Sequence, residues 1–166
     1  MKHSLLLLIS LLCLTAAATR AADAPGGVRE FKDMLKDIPS KDILKLSGTK
    51  KLEVAKEISQ KLTLKEHGKD GTYKGKITSI EVWPFPERGI TGWRLALQDT
   101  FKRGGDTILV WAWVHVYTDP DGVMPKLKEG KEITVTGKIN RSDLSITDAG
   151  PRLNVDLFVN AMQPQK

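Results

Sequence analysis

The fold is decided by the stretch Thr107-Ile-Leu-Val-Trp-Ala-Trp-Val-His-Val-Tyr-Thr118. Its length and its β-branched and aromatic residues are typical of a long β-strand, in which successive side chains point to opposite faces. One face of this strand is aliphatic and the other is mostly aromatic with polar groups. The aliphatic residues are Ile108, Val110, Ala112, Val114 and Val116, and the others are Leu109, Trp111, Trp113, His115 and Tyr117. The aliphatic face predicts a packed interior, and the aromatic face predicts either a ligand platform or a surface covered by another part of the chain.

Four further segments with alternating apolar residues surround this strand. The first begins at Tyr73, and its alternation slips by one residue before Ile80, which predicts a β-bulge near Thr78-Ser79. The other three are Gly92–Asp99, Lys131–Asn140 and Leu153–Val159, the last ending near Met162. We expect a proline-bearing loop at Trp83–Gly89, a polar loop at Arg141–Pro151 and a short crossover at Met124–Gly130.

Residues 25–70 have a helical and charged pattern, and we interpret them as an extension before the barrel. Apolar residues recur at helical spacing from Val28 to Ile38, where Pro39 ends the pattern. Ser40 could cap a short second turn, and Thr49 a third segment. The stripe of that third segment consists of Leu52, Ala55, Ile58 and Leu62. Because acidic and basic residues are intermixed here, amphipathic helices packed on the domain are favoured over a basic binding element.

The first residues have the layout of a secretory signal peptide. A basic start precedes a dense apolar run and a zone of small residues, with plausible cleavage after Ala18, Ala22 or Ala24. The apolar run is shorter than the roughly 20 residues that span a bilayer. We therefore assign residues 1–22 to a signal peptide, and we expect a periplasmic or secreted protein whose mature chain has no membrane span. The only cysteine, Cys13, would leave with the signal, so no disulfide and no thiol chemistry are expected.

Charge and composition disfavour several classes of function. The chain has a net charge of +6, but from Gly71 onward 13 Lys and Arg face 11 Asp and Glu, an excess of only +2. Nucleic-acid-binding proteins concentrate much more positive charge on one face, so nucleic acid is considered but not favoured. No catalytic group of residues and no phosphate-binding loop are found, and we expect no enzyme and no cofactor.

A metal site is not expected either. His67 and His115 are isolated and have no cysteine beside them, which does not give the ligand spacing of a zinc site. Asp119-Pro-Asp-Gly122 fails as a calcium loop, since Tyr117 and Lys128 would occupy positions that require carboxylates. A plain turn is predicted there.

Five strands with a bulged first strand, glycines inside the first and fourth, and a crossover between the third and fourth describe a small Greek-key barrel. The region Thr72–Gln163 resembles the OB-fold and, within it, the tRNA-anticodon-like OB families of exported bacterial proteins. The residues that carry the resemblance are Tyr73-Lys-Gly-Lys-Ile, Trp93-Arg-Leu-Ala-Leu-Gln-Asp, Leu127-Lys-Glu-Gly-Lys-Glu-Ile-Thr-Val-Thr-Gly-Lys-Ile and the closing strand. We therefore predict a mainly β protein, a five-stranded OB-fold-like Greek-key barrel over residues 71–163, preceded by a short α-helical extension. OB-folds bind oligonucleotides, oligosaccharides or proteins on strands two and three, between the loops that join strands one to two and four to five.

Two functional interpretations follow, both non-enzymatic. In the first, the helices cover the aromatic face, and the barrel has a structural or protein-interaction role. In the second, the open face binds single-stranded nucleic acid or an oligosaccharide, with aromatic stacking and basic side chains. The candidate ligand-binding residues are Trp111, Trp113, His115, Tyr117, Arg94, Lys74 and Lys76. The partner, an unknown protein or polymer, is not identified by the sequence, and the first interpretation is favoured because the charge is low.

Overall fold

The computed structural model describes residues 29–38, 48–103, 106–147 and 149–162. The signal peptide, Val28 and the second predicted helical turn with its Ser40 cap lie outside these residues. The described strands are β1 Arg29–Glu30, β2 Asp70–Phe85, β3 Ile90–Arg103, β4 Asp106–Thr118, β5 Glu132–Thr147 and β6 Gly150–Ala161. The described helices are α1 Phe31–Met34, which continues as a 3₁₀ turn over Leu35–Asp37, and α2 Gly48–Glu66.

Strands β2 to β6 form a closed Greek-key barrel. The hydrogen-bonded order is β2-β3-β4-β6-β5, and β5 pairs again with the first half of β2 to close the ring. Strands β4 and β6 are parallel, and the other pairs of barrel strands are antiparallel. Numbered within the barrel, this order is 1-2-3-5-4-1, so the predicted OB-fold is confirmed. The short β1 adds in parallel to the beginning of β2.

The side chains of β4 alternate between the inside and the outside of the barrel, as the sequence pattern predicts. Its aliphatic residues are all at most 3% exposed and belong to one core cluster with the inward residues of the other strands. From β3 and β6 this cluster contains Leu95, Leu97, Leu153, Val155, Leu157 and Val159. The core therefore consists of interdigitated branched side chains, and the aromatic residues of β4 lie on the outside.

Two bulges bend the barrel strands. The bulge predicted near Thr78 is confirmed by a register shift between Ile77 and Ser79. A second shift, between Ile139 and Arg141, was not predicted. Because the extra residue Asn140 restores the alternation, β5 continues to Thr147, and the prediction of a polar loop over 141–151 is wrong. The loop predicted at Trp83–Gly89 is also shorter, since β2 extends to a buried Phe85 and only Pro86–Arg88 form a 3₁₀ turn.

Helix α2 packs against β5 and covers the part of that strand that β2 leaves unpaired. The Thr63 hydroxyl donates to the carbonyl of Ser142 at 2.7 Å, and it accepts from the amide of the same residue at 3.3 Å. One turn earlier, Ser59 Oγ accepts from the amide of Leu144 at 2.9 Å and lies 3.3 Å from its carbonyl oxygen. Side-chain hydroxyls thus take the place of a neighbouring strand, which satisfies backbone groups that an open edge would expose.

The apolar stripe of α2 is confirmed in part. Ala55, Ile58 and Leu62 are buried, whereas Leu52 is 67% exposed. Glu66, which the stripe did not include, is fully buried near the end of the helix, with Lys69 Nζ 3.8 Å from its carboxylate. Among the described residues no helix is long and apolar enough to span a bilayer.

The hydroxyl pairing of α2 with β5 is testable by Thr63→Val, which keeps the shape of the side chain and removes its hydrogen bonds. Both backbone groups of the fully buried Ser142 would lose a partner, so we expect a loss of roughly 1–3 kcal/mol of unfolding free energy in urea titrations. Thr91→Val, at an exposed position of β3, is the matched control and should change stability by less than about 0.5 kcal/mol. An equal effect of the two substitutions would contradict this role for Thr63.

Candidate ligand-binding face

The predicted aromatic residues lie on one continuous surface of the barrel, which we call the outer face. It consists of the outward side chains of β3, β4 and β6, together with those of Glu81, Trp83 and Phe85 from β2. Across β3, Gln98 lies opposite Trp111, and Arg94 lies opposite His115. Across β6, the neighbours of Trp111, Trp113 and His115 are Asn154, Asp156 and Phe158. The outer face runs between the 3₁₀ turn Pro86–Arg88 and the hairpin that joins β5 to β6, which is where OB-folds bind ligands.

Three tryptophans and two arginines form a continuous row of contacts along the outer face, which we call the ladder. The Arg94 guanidinium lies 3.3 Å from the ring centroid of Trp83 and 4.7 Å from that of Trp113. Trp113 in turn stacks on Trp111, with centroids 6.1 Å apart and ring planes 30° apart, and Arg152 lies 4.7 Å from the Trp111 ring. Each contact is a cation–π or aromatic pair of the kind that contributes about 0.5–1.5 kcal/mol.

The ladder uses the ring faces that a stacked ligand would need. Trp113 has Arg94 and Trp111 as its neighbours, and Trp111 has Trp113 and Arg152. Both tryptophans are half-buried, and Trp111 Nε1 is buried with no hydrogen-bond partner among the described residues. The tryptophans that we predicted as stacking platforms are therefore already stacked.

Acidic groups lie within the outer face as well as basic ones. Glu81 accepts from Arg94 at 2.7–2.8 Å, and Asp156 lies beside Trp113 in the register. At the border of the outer face, Asp143 of β5 pairs with Arg141 at 3.3 Å. Burial, and then the nearby Asp143, raise the pKa of Asp156 above its ordinary value. The outer face therefore mixes both signs of charge, as the composition of the barrel predicted.

A second aromatic cluster lies at the end of the outer face nearest the 3₁₀ turn. Phe158 stacks on His115 at 4.8 Å and on Tyr117 at 5.5 Å, and Phe85 meets Tyr117 edge-on at 4.8 Å. The guanidinium of Arg88 lies 3.8 Å from the centroid of the Tyr117 ring. Phe85 reaches this position because Gly92 has no side chain: a Cβ there would lie 2.9 Å from the Phe85 ring.

His115 is a packed member of this cluster. Burial, followed by the positive charge of Arg94, lowers its pKa, and Nδ1 is buried without a hydrogen-bond partner in the described part of the chain. Within residues 29–38, 48–103, 106–147 and 149–162, no group of three potential metal ligands is found.

A cleft of about 410 Å³ opens beside the aromatic cluster. Aromatic rings, amides and charged groups line it together, namely Glu87, Arg88, Tyr117, Lys138, Asn140, Phe158 and Asn160. Such a volume falls within the range of about 300–1,000 Å³ that is usual for ligand pockets.

The remaining predicted site residues lie at or beyond the border of the outer face. Lys76 lies beside Gln98 in the register, whereas Lys74 forms an ion pair with Glu132 of β5 at 2.7 Å. The helical cover that we predicted as one alternative is not provided by α2, which packs on β5 and not on β4.

Several side chains of this surface were missed by the sequence analysis. Arg152, Asp156 and Phe158 are the outward residues of a strand whose inward residues were identified correctly. The same alternation could therefore have placed them beside the tryptophans, once β6 was assigned as the neighbour of β4. Trp83 and Arg88 had no such signal, because they were assigned to a loop.

The raised pKa of Asp156 predicts that this carboxylate destabilises the fold at neutral pH. The folded chain binds the proton more tightly than the unfolded chain does, so stability is lost as the pH rises through the raised pKa. Asp156→Asn should therefore increase the melting temperature at pH 7, and the gain should shrink near pH ~4. Asp121→Asn, in the exposed turn after β4, is the control and should leave the melting temperature unchanged both at pH 7 and near pH ~4. A lower melting temperature of Asp156→Asn at pH 7 would refute the prediction.

No protein-family model matches the chain, and no curated protein does. Among solved structures, the chain is similar to a small single-stranded DNA-binding protein from Streptomyces coelicolor, with 14% identity over 55% of this chain and 88% of that one and a TM-score of 0.29. It is also similar to the OB domain of a Thermoplasma acidophilum protein, with 17% identity over 58% of this chain and 81% of that one and a TM-score of 0.19. At these TM-scores the two likenesses carry no argument, and the OB-fold rests on the strand order and register described above.

Proposed function

We propose that this protein is a non-enzymatic binding module that takes an oligosaccharide on the outer face of its barrel. The observation that carries the proposal is the cleft beside Tyr117 and Phe158, where aromatic surface, amides and charged groups of both signs converge. The ladder lies farther along the outer face and does not line the cleft.

Single-stranded nucleic acid fits this surface less well. Its bases bind by stacking on open aromatic rings, and its phosphates require a positively charged groove. Here Trp111 and Trp113 are stacked within the ladder, and the carboxylates of Asp156 and Glu81 lie beside Trp113 and Arg94 on the same face, where they would repel phosphates. Arg94, a basic residue at the centre of the outer face, is already neutralised by Glu81.

An oligosaccharide makes different demands, which the outer face meets. Its hydroxyls both donate and accept hydrogen bonds, so it pairs with amides, carboxylates and guanidinium groups in combination. Asn140 and Asn160 are exposed amides in the cleft, and Asn154 and Asp156 continue the polar row along β6. The ring of Phe158 stacks on His115 and Tyr117, but it is only half-buried, so a part of its apolar surface remains for contact with a sugar ring.

A protein partner is the second candidate, and the composition of the ladder favours it. Tryptophan, tyrosine and arginine dominate the energetics of protein interfaces, and the ladder supplies all but the tyrosine, which the neighbouring cluster adds. A protein partner agrees with the protein-interaction role predicted from the sequence. That prediction assumed that helices cover the aromatic face, and α2 does not cover it. Export remains a proposal and would place either ligand outside the cytoplasm.

Titration calorimetry with cellohexaose, chitohexaose, hexagalacturonate and oligo(dT) tests the proposal. We expect at least one saccharide to bind with an affinity that changes little between low and physiological salt, whereas specific oligo(dT) binding should be absent. Phe158→Ala and Asn160→Ala should each weaken saccharide binding at least about tenfold, equivalent to about 1.4 kcal/mol. Asn160 is exposed, so its variant reports on binding even if Phe158→Ala unfolds.

Leu64→Ala, on the exposed side of α2 and away from the cleft, is the matched control and should bind as the parent does. Salt-sensitive binding of oligo(dT) that Trp113→Ala abolishes would instead establish the nucleic-acid interpretation. Failure of every saccharide to bind would refute the proposed function.

A further inference from the structure

We propose that the cleft recognises the carboxylate of an acidic sugar, and that Arg88 is the residue that binds it. The inference rests on the proposed function, since it names the kind of sugar residue that the site prefers. It depends on the position of Arg88, on the pairing of the neighbouring cations and on the amides of the opposite wall.

Arg88 is presented to the cleft by a short and stiff turn. Pro86 begins the 3₁₀ turn, and Gly89 ends it in the left-handed region at φ 62°, with its amide bonded to the carbonyl of Pro86 at 3.2 Å. The guanidinium then lies over the ring of Tyr117, 3.8 Å from its centroid. A guanidinium that lies over an aromatic ring can still donate the N–H groups of its own plane to a carboxylate in a bidentate manner.

Two other basic side chains of this region, Lys138 and Arg94, each form an ion pair with an acidic residue, whereas Arg88 does not among the residues that the structure describes. Lys138, which also lines the cleft, pairs with Asp70 at 3.1 Å, and Arg94 pairs with Glu81 at 2.7 Å. Within the described part of the chain, Arg88 forms no ion pair and contacts Tyr117 instead. Its positive charge is therefore left for a ligand.

The opposite wall of the cleft suits the hydroxyls and the apolar face of a sugar ring. Asn140 is the extra residue of the β5 bulge, and its carbonyl accepts a hydrogen bond of 2.6 Å with His67 Nδ1, which fixes the backbone there. The backbone of Asn160 is fixed by Thr118, whose hydroxyl donates to the Asn160 carbonyl at 2.8 Å. Both amide side chains remain exposed and line the cleft together with Phe158 and Tyr117.

A sugar carboxylate fits this site better than a phosphate. Glu87 also lines the cleft, and Lys138 pairs with Asp70, so among the described residues that line the cleft Arg88 and Glu87 are the charged side chains without an ion pair. The carboxylate of Glu87 repels a dianion more strongly than a monoanion, which Arg88 alone can pair with. A dianionic phosphate would meet too little positive charge. The preferred ligand is therefore a uronic acid residue within an oligosaccharide.

Calorimetry with trigalacturonate, its neutral counterpart galactotriose and galactose 1-phosphate tests the inference on the full-length protein. We expect trigalacturonate to bind at least about tenfold more tightly than galactotriose, since hydrogen bonds to charged groups are about twice as strong as neutral ones. Arg88→Gln should remove this preference and leave the affinity for galactotriose unchanged. Arg88→Lys should restore it only in part, because an ammonium group cannot form the bidentate pair.

Arg141→Gln is the matched control, because Arg141 is exposed, pairs with Asp143 and does not line the cleft. It should keep the preference for trigalacturonate, as should every variant whose substitution lies outside the cleft. Equal binding of the two trisaccharides, or tighter binding of galactose 1-phosphate, would overturn the acidic-sugar inference while the proposed function stands. The absence of binding by any saccharide would overturn both.

Discussion

The architecture depends on the hydrogen bonds that Ser59 and Thr63 form with the backbone of β5. The barrel closes only along the first half of β5, since the bulge at Asn140 turns the second half away from β2. That half would present an open edge, which proteins protect against pairing with other chains. Two side-chain hydroxyls, one helical turn apart, form hydrogen bonds with this edge. Thr63 bonds to the backbone of Ser142, and Ser59 bonds to the backbone of Leu144. Because this contact holds α2 at the edge of β5, the helix leaves the aromatic residues of β4 uncovered.

The outer face then has to stabilise itself through contacts among its own side chains. Arginines fill the spaces between tryptophans, and Phe158 lies across His115 and Tyr117. These contacts keep half-buried rings in fixed positions at modest energies of about 0.5–1.5 kcal/mol each. The surface also retains groups that lower stability, such as Asp156 with its raised pKa. Costs of this kind are common where a surface serves binding and not only folding.

The sequence predicted correctly those features that depend on the residue pattern of a single strand. Alternation in β4 and β6 identified both faces, and the phase slip before Ile80 located the first bulge. The second bulge escaped notice because Arg141-Ser-Asp has the polarity of a loop, although Ser142 is buried beneath α2. The ladder could not be predicted, since the contact of Arg94 with Trp83 and Trp113 depends on the register of three strands. The cleft likewise combines Arg88, Asn140 and Phe158 from segments far apart in the chain.

If the outer face is open in the folded protein, its tryptophans are accessible to solvent, and a direct measurement of their accessibility tests this. Fluorotryptophan labelling gives one ¹⁹F resonance for each of the four tryptophans, which single Trp→Phe variants assign. A soluble gadolinium chelate should broaden the resonances of Trp111, Trp113 and Trp83 in the full-length protein. If the resonances of Trp111 and Trp113 stay sharp at chelate concentrations that broaden those of exposed groups, another segment covers the face. The account of an open binding surface would then be contradicted.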